Sequence, residues 1–265
     1  MSKDAPTVNT TSVNWSGYAV ETNLASPQAN VFTDVQATWV VPSVIPSASN
    51  TYSSTWIGLD GDSKSSKTVE QIGIEQDYIN GKAVYYAWYE MYPKALVTLD
   101  LVIQPGDTIN AEVKYLENNT YELSLHDGTQ SFTIDIVSAK PIRSSAEWIE
   151  ESTGRLADFK TVMFTNATAT AMLPTGNHTG PISDAAWQTE EITLVSKSGG
   201  VLAAPTALSL SNDNTSSFSI NEANSNNVAT LTVSDGAHAT IVALSGDAGQ
   251  HFSHHDWDWH DWHLV

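Results

Sequence analysis

The chain of 265 residues contains no cysteine, so neither disulfide staples nor thiolate chemistry is available to it. Basic residues are nearly as scarce: 11 Lys and Arg stand against 30 Asp and Glu, for a formal charge of -19. That balance argues against nucleic acid or an anionic membrane as a partner. Charge of either sign is thin, because Asp, Glu, Lys and Arg make up 15% of the chain, where about 25% is usual. The acidity therefore comes mainly from missing bases. In acid the carboxylates lose their charge and few cations remain to repel one another, so the composition predicts tolerance of low pH. No run of about 18 apolar residues occurs, and no membrane span is expected. Residues 1–10 are polar and lack the apolar core of a secretory leader, which fits a mature chain carrying an initiator Met.

What is present reads as strand. From residue 11 onward, short runs of β-branched and aromatic residues are broken by Gly, Pro, Asn, Asp and Ser. Strands are predicted at Phe32 to Val41, Val97 to Ile103, Ala111 to Tyr115, Tyr121 to Leu125 and Phe132 to Val137, with turns at Pro105-Gly106-Asp107 and Asp127-Gly128. Ser144 to Glu151 is ambiguous between helix and strand periods and is read as strand. Many short strands without βαβ alternation predict an all-β fold, a β-sandwich of two antiparallel sheets. A flexible segment 1–11 and a domain over 12–220 are expected, followed by an extension over 221–265. Val228 to Ser234 and Ala239 to Leu244 again look like strands. The end of the chain, His251 to His263, is rich in His, Asp and Trp; its spacing fits no standard metal site, so adventitious chelation is expected there and no resident metal.

Carboxylates set among aromatics are candidates for shifted pKa values. Glu90 lies within Trp88-Tyr89-Glu90-Met91-Tyr92-Pro93, Asp60 and Asp62 follow Trp56-Ile57-Gly58-Leu59, and Glu147, Glu150 and Glu151 surround Trp148-Ile149. On strands, Trp88, Glu90 and Tyr92 share one face, and Glu147 and Glu151 share another. A groove with aromatic walls and a carboxylate floor would suit glycoside cleavage by paired carboxylates or peptide hydrolysis in acid. Solvated carboxylates over an ordinary sandwich core remain an equal alternative on periodicity alone. No Gly-x-Ser-x-Gly elbow occurs, and no His in the body of the chain sits beside a nucleophile, which argues against a serine triad.

Six motifs in order, over roughly residues 12 to 220, resemble the glutamic peptidases, or eqolisins. They are Asn14-Trp15-Ser16-Gly17-Tyr18, Trp56-Ile57-Gly58-Leu59-Asp60-Gly61-Asp62, Gln71-Ile72-Gly73, Ala87-Trp88-Tyr89-Glu90-Met91-Tyr92-Pro93, Gly106-Asp107-Thr108-Ile109 and Ala146-Glu147-Trp148-Ile149-Glu150-Glu151. The resemblance implies a secreted, acid-active, pepstatin-insensitive endopeptidase on a sandwich of two seven-stranded sheets, with a Gln/Glu catalytic pair. By motif position that pair is Gln71 and Glu151, with Glu147 and Glu150 as the competing carboxylates. Glu151 would act as base and then acid, and Gln71 would stabilise the oxyanion and hold Glu151 ionised. Trp15, Trp56, Asp60, Trp88, Glu90 and Tyr92 would line the substrate site.

Polypeptides are then the expected substrates, without a cofactor, and a monomer is expected. The chain departs from the fungal members at Glu70, where they show an apolar residue, and at Glu75-Gln76, where they show Asp-Trp, which points to altered subsites. One residue is inserted before Gln71, and the processed form, without the prosegment of the fungal members, is expected. These departures suggest a prokaryotic branch. A lectin-like sandwich that binds glycans, and a jelly-roll glycosidase, are the alternative readings.

Overall fold

The computed structural model describes residues 7–223, and no α-helix occurs among the described residues. Two largely antiparallel sheets are formed. The first runs, in spatial order, β1 (Thr7–Ser12), β14 (Gln188–Val195), β2 (Trp15–Glu21), β11 (Ser145–Glu151), β4 (Ser54–Leu59), β5 (Val69–Ile79), β6 (Lys82–Tyr92) and β7 (Val97–Thr98). The second runs β10 (Ser131–Val137), β9 (Thr120–His126), β8 (Thr108–Tyr115), β3 (Phe32–Val40) and β12 (Thr161–Leu173). The far edge of β12 is shared by β13 (Gly176–Pro181) and β17 (Ser216–Glu222). β15 (Val201–Pro205) pairs with both β14 and β17, and β16 (Ser209–Leu210) adds to β17, so the two sheets are joined along one side. Among these strand pairs only β1 with β14 is parallel.

Alternation along the strands sends every second side chain inward. Ile57, Leu59, Ile72, Ile74 and Trp148 from the first sheet meet Val35, Trp39, Ile109, Val113, Leu123 and Phe164 from the second in one continuous core. Phe164 stacks on Phe218 at 5.0 Å and lies 5.7 Å from Trp39. In β8 burial alternates with exposure, as a half-buried strand requires. β2, β4 and all of β11 but its last residue are buried on both faces, because a second layer of aromatics covers the outer face of the first sheet.

The ambiguous segment around residues 144–151 is strand β11, hydrogen-bonded on both edges. The first sheet has eight strands rather than seven. Within the segment expected to be flexible, Thr7–Ser12 is β-branched and adds to the edge of β14. The strand expected over Val97 to Ile103 shrinks to Val97–Thr98. Beyond it the Gln130 side chain replaces a partner strand: Val102 N–H donates to its Oε1 at 3.1 Å, and its Nε2 donates to Val102 O at 3.2 Å. The strands expected beyond residue 223 and the His/Asp/Trp-rich end lie outside the described residues.

Candidate functional site

The outer face of the first sheet gathers the motif residues. Trp15 and Ala19 from β2, Ile149 from β11, Trp56 from β4, Val69 from β5, Trp88 from β6 and Ile192 from β14 form a second apolar cluster, with Tyr86 and Tyr92 at its margin. Strand register fixes the polar residues among them. Gln71 is paired with Gly58 on one side and Glu90 on the other, while Glu151 is paired with Trp15 and Ser54. Gln71 and Glu151 therefore share a face, with β4 between them and Trp56 midway along it. Trp56 lies flat because two glycines leave room. A Cβ on Gly73 would fall 2.5 Å from the Trp56 Cβ, and one on Gly58 would fall 3.0 Å from its ring.

Three neighbouring carboxylates compete for the catalytic assignment, and their surroundings differ. Glu147 is fully buried and faces Gln71 across Gly58. Burial pushes its carboxyl well up; the nearby charges of Asp62 and Asp60 add to this, and the neighbouring Ser145 hydroxyl and Asp62 backbone oppose it. Glu150 is fully buried and points the other way, into the inter-sheet space. Glu151 alone of the three is partly open to solvent. Its Oε2 accepts the Trp56 indole N–H at 2.9 Å, and its Oε1 lies 3.5 Å from the Asn14 amide nitrogen. Burial pushes Glu151 up to about 7, while the Trp56 and Trp15 indoles and Asn14 pull it down by favouring the charged form.

Asn14 is itself oriented by Ser12. The Ser12 hydroxyl oxygen accepts the backbone N–H groups of Asn14 and Trp15 at 3.3 and 3.1 Å, which leaves its proton for Asn14 Oδ1 at 2.8 Å. The amide nitrogen of Asn14 is therefore the end that faces Glu151. Neither Asn14 nor Ser12 was assigned a role from sequence. Asn14 opens a motif, but nothing in its spacing reveals that the chain brings it to a residue 137 positions away.

Gln71 donates through Nε2 to Glu90 Oε2 at 2.6 Å, so its partner at rest is Glu90, and the donors that hold Glu151 are the indoles and Asn14. The expectation that Gln71 keeps Glu151 ionised is corrected accordingly. The Gln71 Oε1 has no hydrogen-bond partner among the described residues, and neither has the Trp88 indole nitrogen. Burial, followed by the charge of Glu151, pushes Glu90 up to about 7, against the pull of the Gln71 amide. The charge of Glu151 thus reaches Glu90 across the face.

Asp60 does not join this face. It is fully buried with φ +66°, and its two oxygens accept the backbone N–H groups of Ile142, Arg143 and Ser144 at 2.9, 2.7 and 2.8 Å. It pins a turn rather than lining a substrate site. The departures at Glu70 and Gln76 also fall elsewhere: both alternate with Gln71 on β5 and point into the core, where Ser138 Oγ donates to Glu70 at 2.6 Å and Gln76 meets Glu150. Of the expected subsite changes, Glu75 alone shares the face of Gln71. Among the described residues no group of three or more His, Asp or Glu side chains is arranged to hold a metal ion.

A protein-family model described as the Peptidase A4 family matches residues 13–218. Aspergillopepsin-2 of Aspergillus niger is 35% identical over 144 residues. Those residues are 50% of this chain and 49% of that protein, so the chain spans about half the length of this curated relative. Among solved structures, scytalido-glutamic peptidase with a peptide-based transition-state analogue superimposes over 79% of this chain and 98% of its own, with TM-score 0.61 and 22% identity. Aspergilloglutamic peptidase from Aspergillus niger superimposes over 65% of this chain and 99% of its own, with TM-score 0.52 and 29% identity.

Proposed function

The chain belongs to the Peptidase A4 family, and on that premise we propose that it is a glutamic endopeptidase whose reacting groups are Glu151 and Gln71. One observation carries the assignment. Glu151 is the one glutamate of its strand that is not fully buried, gripped by an indole N–H at 2.9 Å, on the same sheet face as a glutamine whose amide is already oriented by Glu90.

The chemistry follows from those atoms. Ionised Glu151 takes a proton from a water molecule as the water oxygen attacks the scissile carbonyl carbon. The Gln71 amide has two hydrogens, and Glu90 occupies one. The second donates to the oxygen that gains negative charge in the tetrahedral intermediate. Protonated Glu151 then returns its proton to the nitrogen, the C–N bond breaks, and the carboxylate is regenerated. Because burial holds Glu151 near 7 and its donors oppose that shift, the ionised fraction grows as pH rises toward neutrality. That direction alone favours a range nearer neutrality, so the acid range is proposed from the family and requires the Trp56, Trp15 and Asn14 donors to hold Glu151 ionised when substrate is bound; polypeptide substrates in an acidic extracellular setting are proposed on the same ground.

The test is cleavage of a denatured protein between pH 3 and 7 with pepstatin present, for the wild type, Gln71→Ala and Glu151→Gln. Wild-type fragments together with a loss of about 10²-fold or more in kcat for each variant support the pair. Near-normal turnover in either variant refutes it. Sugar release from a glycan substrate without proteolysis would favour a glycosidase instead.

A further inference from the structure

Glu151 is the last residue of β11, so the ladder that holds its backbone ends at its own pairings with Trp15 and Ser54. Strand ends open more readily than strand centres, yet a catalytic carboxyl works only if held within about 0.5 Å of its productive position. The restraint lies beneath it. Glu150, one residue earlier and fully buried, accepts Gln76 Nε2 at 2.8 and 3.1 Å and the Thr55 hydroxyl at 2.5 Å. Gln76 Nε2 also reaches Thr55 Oγ1 at 2.8 Å. The backbone of Gln76 is fastened in turn: its N–H donates to Ser53 O at 2.8 Å, and Ser53 Oγ donates to its carbonyl at 3.1 Å. Glu150, Thr55 and Gln76 stand on β11, β4 and β5. These are the strands that carry Glu151, Trp56 and Gln71 on their opposite face.

We propose that Glu150, braced by Gln76 and Thr55, is a positioning residue for Glu151, fixing the end of β11 so that the carboxyl stays in register with the Trp56 indole and with Gln71. The proposal rests on the reading of Glu151 as the reacting carboxyl. Burying a carboxyl carries a desolvation cost that an apolar side chain of similar volume avoids. Glu150 faces away from substrate and has no part in the proton transfers, so the brace gives this buried group a role.

The experiment compares wild type, Glu150→Leu, Glu150→Gln and Glu151→Gln as full chains on one peptide at one acidic pH, with kcat, KM and Tm measured for each. Glu150→Leu strands the Gln76 amide and the Thr55 hydroxyl and is expected to lower Tm, and to hold KM within about twofold while kcat per folded molecule falls about tenfold, because an ångström of misplacement can cost about 10² in rate. Glu150→Gln keeps an acceptor for the Thr55 hydroxyl and recovers most of that loss. A purely structural role predicts a lower Tm with kcat per folded molecule intact, and that result overturns the proposal. Thr55→Val, which removes one donor of the brace, carries the same kcat test if Glu150→Leu does not fold. A fully active Glu151→Gln sinks the assignment of Glu151 itself, whereas an inactive Glu151→Gln beside a normal Glu150→Leu sinks only the brace.

Discussion

Raising the pH from 5 to 7 should unfold this domain or bring it close to unfolding. Several carboxyls among the described residues are packed against other carboxyls, with Lys114 the cation beside Asp34 and Glu112. Asp34 bonds Glu112, Asp62 bonds Glu190, Glu70 meets Asp60, and Glu222 bonds Asp158. Glu70 and Glu150, both fully buried, show the size of the effect. Burial pushes Glu70 from 4.5 up to about 8, with the charge of Asp60 adding to it. Burial also pushes Glu150 from 4.5 up to about 7. Between those unfolded and folded values the native state keeps protons that the unfolded chain has released, so stability is full below about pH 4.5 and falls as pH rises. Each proton contributes a slope of about 1.4 kcal/mol per pH unit. These two groups alone remove on the order of 5 kcal/mol between pH 5 and 7, comparable with the lower end of the roughly 5–15 kcal/mol that holds a domain together. At about 2–4 °C per kcal/mol for a domain of this size, Tm should drop by about 10–20 °C. Thermal unfolding followed by circular dichroism at constant ionic strength, at pH 4, 5, 6, 7 and 8, measures it. Glu70→Gln should flatten the slope by about one proton. A Tm that stays level or rises from pH 5 to 7 would refute the reasoning.

Two further outcomes follow from single contacts. Trp56→Phe removes the 2.9 Å indole N–H from Glu151; the carboxyl should rise by about one pH unit, moving the acid limb of kcat/KM upward, and an unmoved limb contradicts the assignment. Asp60→Ala strands three backbone N–H groups of the turn at residues 142–144. It should lower stability by about 2–3 kcal/mol in denaturant titration while KM for a short peptide changes little; a large KM effect at unchanged stability would return Asp60 to the substrate site.

The aromatic face was legible because the motifs are local. Trp88, Glu90 and Tyr92 share a face by the period of a strand, and the structure places them on the outer face of the first sheet with Trp15 and Trp56. Other features were hidden by long-range pairing. Asp60 reads as a residue of the site by its place in the Trp56 to Asp62 motif of the resemblance, yet the chain reverses at φ +66° and turns its carboxyl toward residues 142–144. Val97 to Ile103 alternates like a strand, but its outer partner is one glutamine side chain rather than a ladder.

The sequence by itself determined that this protein is a cysteine-free, acid-rich assembly of strands, because composition and a two-residue period are properties of the chain alone. Only the tertiary structure decided the surroundings of Glu147, Glu150 and Glu151. Consecutive strand residues point to opposite faces, so Glu150 enters the core while Glu147 and Glu151 share the outer face. Which of those two remains open to solvent depends on what distant segments lay over them: Asp62 beside Glu147, and Trp56 with Asn14 beside a Glu151 that stays partly exposed. That difference arises from contacts between residues far apart in the chain, which no local pattern encodes.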